Sequence, residues 1–216
     1  MHDYFITFAR PYLRNRIEVP KDDIEAINDF AKRMVPKLKQ ELKYRNLSDK
    51  TILKNVSHGK IAEVAVEKFT KTKFVNFKIN EAYHGDEGDL YYYDNLKVGV
   101  KTAEFGNLPL VYRNDKGGCK DPEIITIFER PNFVYICGYA TIPMLNYYQD
   151  PKFSFGDAVY KKAGFWGFHK LHNFTSMDDI KQLSTNKTIS DFNEFFDVPE
   201  DYGFRKIQNI TEISIC

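Results

Sequence analysis

Apolar residues recur at helical spacing in two early stretches of the chain. In the first, Pro20 precedes Asp22, Asp23 and Glu25, acids set against the positive end of a helix dipole. The pattern predicts a helix over 20–44, with a break or kink at Pro36. The second stretch predicts a helix over 49–71. Tyr- and Val-rich alternation then takes over and predicts strands near 74–80, 89–93 and 96–103. Further strands are expected at 124–128, 133–140 and 164–170, with a short helix at 142–148. Ser176, followed by Asp178 and Asp179, caps another helix. Residues 3–9 fit a strand or a helix equally. Gly106, Pro109, Gly117 and Gly118 mark 105–121 as irregular, and structureless loops of that length are usually functional or mobile. The last 25 residues show no usable period. Helices followed by strands and then mixed elements give an α/β or α+β plan, with helices laid on a sheet.

A chain of 216 residues holds one well-buried core and little more. With no repeat, low-complexity tract or Pro/Gly/Ser-rich linker, a single domain over 1–216 is expected. Its 15% aromatic content favours a sheet with amphipathic surfaces. No apolar run approaches the ~20 residues of a membrane span, and Met1-His2-Asp3-Tyr4 lacks a signal-peptide layout. Cys119, Cys137 and Cys216 are widely spaced and form no metal-ligand pattern, so a reducing, cytoplasmic setting is expected. The net charge of +1 does not mark the whole molecule for a polyanion. Residues 1–75, however, carry 16 Lys/Arg against 10 Asp/Glu, while the remainder carries 15 against 20. That basic third suits phosphate contacts, or is a solvated helical face.

The most distinctive stretch runs from Gly88-Asp89 to Val98-Gly99-Val100-Lys101-Thr102 and reads as a β-hairpin turning at Asp94-Asn95. In its second strand Val98, Val100 and Thr102 share one face, and Lys97, Gly99 and Lys101 the other. A two-residue turn would pair Asp89 with Val100, which is the wrong parity for Asp89 and Lys101 to meet. A three-residue loop, or a bulge, pairs Asp89 with Lys101 and restores it. On the preceding helix, Glu63 and Glu67 border an apolar stripe containing Ile52, Val56 and Val66. Each residue also has an ordinary reading: Lys101 as an edge lysine, Asp89 as a turn former, and the two glutamates as helix acids paired with Lys60 and Lys71. Their joint occurrence favours chemistry.

Together, the helix segment 59–69 with Glu63, the Gly-Asp at 88–89 and the Gly-Val-Lys at 99–101 resemble the PD-(D/E)XK nuclease superfamily. The resemblance covers about 50–170. It implies a restriction-endonuclease-like fold, a central mixed β-sheet flanked by helices, and Mg²⁺- or Mn²⁺-dependent hydrolysis of DNA phosphodiester bonds. It implies Asp89 as a metal ligand, the Val100 carbonyl as another, and Lys101 as the residue that steadies the phosphate or nucleophile. Gly99 departs from the family, because it stands where a second acid usually does. Glu63 is taken as the replacement ligand, with Asp86, Glu87 and Glu104 as lesser candidates. Cutting both strands of a duplex would favour a homodimer, by analogy alone. Phosphate contacts are expected from Lys37, Lys39, Lys54 and Lys60 on the helices and from Arg113, Lys116 and Lys120 in the long loop. Asn107, Tyr112, Arg113, Asn114 and Lys116 are able to read base edges. Two other functions stay open: a nucleic-acid-binding module that has lost cleavage through Gly99, and a protein-interaction domain with an aromatic surface. His58 is a weaker phosphate candidate, and His169 with His172 a weaker metal pair.

Overall fold

In the computed structural model, residues 2–40, 46–79, 89–90, 93–153 and 161–185 are described. The chain runs α1 (His2–Phe8), β1 (Arg16–Glu18), α2 (Lys21–Lys39), α3 (Asp49–Thr70), β2 (Gly99–Glu104), β3 (Leu110–Tyr112) and β4 (Glu123–Glu129). It continues through β5 (Phe133–Ala140), α4 (Ile142–Tyr147), β6 (Gln149–Asp150), β7 (Lys162–Phe165) and α5 (Met177–Thr185).

The two long helices form where the apolar spacing predicts them. On α2 the buried residues Ile27, Phe30, Ala31, Met34 and Leu38 recur every three or four positions. Phe30, Met34 and Leu38 pack against Ile52 and Val56 of α3. Pro36 sits on the exposed side, and the helix continues past it to Lys39. Ser48 caps α3, its Oγ accepting the Thr51 N–H at 3.1 Å. The same helix stops at Lys71, which takes the left-handed conformation at φ 56°.

Four strands form one mixed sheet in the order β1-β5-β4-β2, with β2 parallel to β4 and the other neighbours antiparallel. A second, antiparallel sheet has the order β3-β7-β6. On one face of the larger sheet, Val100, Ile124 and Phe128 meet Ile61 and Ala65 of α3, Ile27 of α2 and Ile180 of α5. On the other face, Ile125 and Ile127 meet Val111 of β3, Phe165 of β7, Met144 of α4 and Phe5 of α1. The fold is therefore mixed α/β, with the four-stranded sheet enclosed between helices and a smaller sheet.

Several expectations need correction. Residues 3–9, left open between strand and helix, belong largely to helix α1. No strand forms at 72–78, because the Phe74 and Val75 amides bond to the Glu67 carboxylate, each at 2.6 Å, rather than to a neighbouring strand. Residues 105–121 are less irregular than expected: β3 pairs there with β7, and a 3-10 turn follows at Asn114–Lys116. The strand expected at 164–170 ends at Phe165 and gives way to a 3-10 turn at Phe168–Lys170. Among the described residues, no helix is long and apolar enough to cross a membrane. Gly88, Asp86, Glu87, Cys216 and the final 25 residues lie outside the described residues.

Candidate active site

The site grows from the free edge of β2. Among the described residues this strand pairs only with β4, and the Gly99 N–H points toward β4, donating to the Pro122 carbonyl at 3.0 Å. The peptide N–H of the next residue, Val100, therefore points to the open edge, where the Asp89 Oδ2 accepts it at 2.6 Å. A backbone donor left on a sheet edge is thus satisfied by a carboxylate that itself remains exposed.

Asp89 arrives there without a hairpin ladder. Asp94 and Asn95 both take left-handed conformations, φ 54° and 55°, and the Leu96 N–H returns to the Tyr93 carbonyl at 3.1 Å. This is the two-residue turn that gave the wrong parity. Parity does not apply, however, because another turn directly precedes it: the Tyr93 N–H donates to the Leu90 carbonyl at 2.8 Å, and the Leu90 N–H to the Val98 carbonyl at 3.0 Å. Asp89 and Leu90 lie in a turn, and the Asp89 carboxylate reaches the edge rather than a face of the sheet. An ion pair from Asp94 to Lys181 ties the turn to α5.

Lys101 and Glu123 form the floor. The parallel register sets Gly99 beside Glu123 and Lys101 beside Ile125, so Lys101 and Glu123 project from the same face. Lys101 Nζ lies 3.4 Å from Glu123 Oε1, and their side chains are 29% and 15% exposed. The Glu123 carboxylate and, secondarily, Asp89 hold the Lys101 pKa above its usual value against the effect of burial. Lys101 is therefore a fixed cation, unsuited to act as a base. Burial raises the Glu123 pKa; Lys101 opposes that rise and Asp89 adds to it. The second Glu123 oxygen, Oε2, is buried and finds no hydrogen-bond partner among the described residues. It occupies the space above Gly99, where a Cβ would lie 2.2 Å from it.

Glu123 is held by its approach loop. Asn146 of α4 grips Cys119 from both sides, accepting its N–H at 2.7 Å and donating to its carbonyl at 3.1 Å. Gly118 is required next to it: its φ is +63°, and a Cβ there would fall 2.7 Å from the Asn146 oxygen. Glu123 carries no motif, and the sequence reading passed over it. The available signal was a glycine in place of an acid on β2, with an acid opening β4, its parallel neighbour, at matching parity.

Glu63 stands on the α3 side of the sheet. It is buried and bound to Lys60 at 2.5 Å, and both side chains are less than a tenth exposed. Burial pushes the Glu63 carboxyl up to about 7; Lys60 pulls it down and Asp89 adds to the rise. The charge of Asp89 is a secondary influence on Glu63, Lys101 and Glu123 alike. Service as a ligand would require the Glu63–Lys60 pair to open. Glu67 has a structural job, clamping the Phe74 and Val75 amides and pairing with Lys73 rather than Lys71.

Most of the basic residues assigned to phosphate are otherwise engaged. Lys60 is buried, Lys54 pairs with Glu104 at 2.6 Å, Lys39 pairs with Asp49 at 3.1 Å, and Lys37 donates to the Ile79 carbonyl. Arg113 pairs with Asp115. Glu104 is drawn to Lys54 and Arg130 at the far end of β2, so it is no substitute for the missing acid. His58 packs on Phe128, and burial lowers its pKa. The His169 ring stacks on Trp166, whereas His172 pairs through its backbone with Tyr139. These two histidines serve packing and pairing.

Among the described residues, no three His, Cys, Asp or Glu side chains gather into a metal cage. The carboxylates on this edge are Asp89, which accepts the Val100 N–H, and Glu123, which faces Lys101. That set suits Mg²⁺, which usually binds one or two carboxylates and completes its shell with water and substrate phosphate. Comparisons with protein-family models, curated proteins and solved structures give no match to this chain.

Proposed function

We propose that this chain is a restriction-endonuclease-like, metal-dependent nuclease that hydrolyses DNA phosphodiester bonds. The observation that carries the reading is Lys101, a cation on the floor of the edge of β2, set between the Glu123 carboxylate and the field of exposed Asp89. A helix bearing a buried glutamate comes first, then the aspartate, then the lysine strand, in the order the resemblance requires.

A bound divalent cation would supply Lewis acidity and orient the attacking water. Asp89, open to solvent at the strand edge, would hold it, with the Val100 carbonyl as a further ligand. Lys101 stays protonated and stabilises negative charge on the phosphoryl oxygens as it grows. Glu63, buried behind the sheet, would reach the cation only if its pair with Lys60 opened. Exposed Lys97 and Lys120, close in sequence to Gly99 and Glu123, would meet the flanking phosphates.

The test is supercoiled plasmid incubated with Mg²⁺ and the full chain, beside Asp89→Ala and Lys101→Ala. Cleavage by the parent that both variants lose supports the enzyme. Salt-dependent DNA binding with no cutting under any divalent ion makes it a binding module. No DNA affinity at all leaves a protein-interaction domain.

A further inference from the structure

Gly99 and Glu123 are two halves of one feature. Glycine inside a strand has an entropic cost and packs nothing, so its presence calls for a local reason. Gly99 is not among the glycines with positive φ, so backbone conformation is not the reason. Space is. A Cβ at 99 would sit 2.2 Å from Glu123 Oε2 and 2.9 Å from Glu123 Cδ. The neighbouring strand's side chain has crossed the register pair Gly99↔Glu123 and filled the volume that a side chain at 99 would take.

The carboxylate delivered there is unusual in one respect. One oxygen faces Lys101, while the other is buried without a hydrogen-bond partner among the described residues. A buried carboxylate oxygen left unpaired is costly, and such groups are normally satisfied by protein, water or an ion. It lies on the same face as Lys101 and within the field of Asp89.

We propose that Glu123 is the second metal-binding acid of the site, supplied from β4 across the parallel register and admitted by the absence of a side chain at Gly99. This rests on the nuclease reading and names the ligand that Gly99 leaves missing on β2. It also makes the acid transferable: moved back to position 99, it serves the same cation.

The test is Mn²⁺ binding, followed by electron paramagnetic resonance on the full chain with thermal unfolding alongside, in Glu123→Gln, Glu123→Asp, Asp89→Asn and the exchange variant Gly99→Asp/Glu123→Gly. Glu123→Gln is expected to weaken Mn²⁺ binding by at least about tenfold with its melting temperature retained. Glu123→Asp, which keeps the carboxylate, is expected to fall between the two, and the exchange variant to recover to within about tenfold of the parent. Parent-like binding by Glu123→Gln, while Asp89→Asn loses it, overturns the assignment and leaves the nuclease reading intact. An exchange variant that folds but binds no better than Glu123→Gln overturns it equally. If the exchange variant does not fold, Glu123→Asp decides: binding no better than Glu123→Gln overturns the assignment. A parent chain that binds no Mn²⁺ overturns both readings.

Discussion

Lys101→Met separates binding from chemistry. The Lys101 ammonium lies 3.4 Å from Glu123 Oε1, where it competes with an incoming cation for that carboxylate and repels it. Two unit charges at ~4 Å interact by about 1 kcal/mol in water and about 4 kcal/mol at an effective dielectric near 20. With side chains 29% and 15% exposed, the pair lies between those limits. Methionine preserves much of the stem's packing and removes the charge, so Mn²⁺ binding should tighten by about fivefold to a few hundredfold. Plasmid cleavage should nevertheless fall by on the order of 10²-fold or more, because nothing then stabilises the charge that develops on the phosphoryl group. Titration calorimetry reads the first effect and gel-resolved cleavage rates the second, with Lys101→Arg as the charge-retaining control. A methionine variant that binds Mn²⁺ no more tightly than the parent refutes the competition. One that cuts at the parent rate refutes the role given to Lys101.

Other outcomes follow from the same geometry. Glu67→Ala removes the acceptor of two amide bonds of 2.6 Å and should cost about 3–5 kcal/mol in urea unfolding; Glu67→Gln keeps an acceptor and should cost about 1–2 kcal/mol. Lys71→Gly relieves a left-handed residue at the end of α3 and should add about 1 kcal/mol to the unfolding free energy. Glu63 in the folded chain titrates at about 7, above the ordinary carboxyl value of the unfolded one, so the folded state binds the extra proton between about pH 4.5 and about 7. Its contribution to stability therefore falls as pH rises through that window. Urea midpoints at pH 5 and pH 8 should show Glu63→Gln flattening the dependence relative to the parent.

The parts of this structure set by local pattern were readable from the residues alone. The acids after Pro20 and the helical spacing over 49–71 pointed to the two long helices, and the alternation around Val100 and in Phe133–Ala140 to β2 and β5. Asp89 and Lys101 were legible because both sit in one short segment. The connection between them was not: a hairpin was expected, and the double turn found instead depends on Tyr93 bonding back to Leu90. Glu123 was illegible for a different reason. Its meaning comes from pairing with Gly99 across a long connection, and no local pattern encodes a parallel register. The same limit hid the partners of Lys54 and Lys37, which looked free until Glu104 and the Ile79 carbonyl came beside them.

The central claim is that Asp89 and Glu123 hold one divalent cation beside Lys101. A crystal soaked in Mn²⁺ and measured at the manganese absorption edge tests it most directly. The expected anomalous peak lies at the edge of β2, in ligand contact with both carboxylates. A peak bound elsewhere, or none at all with Lys101 still resting on Glu123, contradicts the claim.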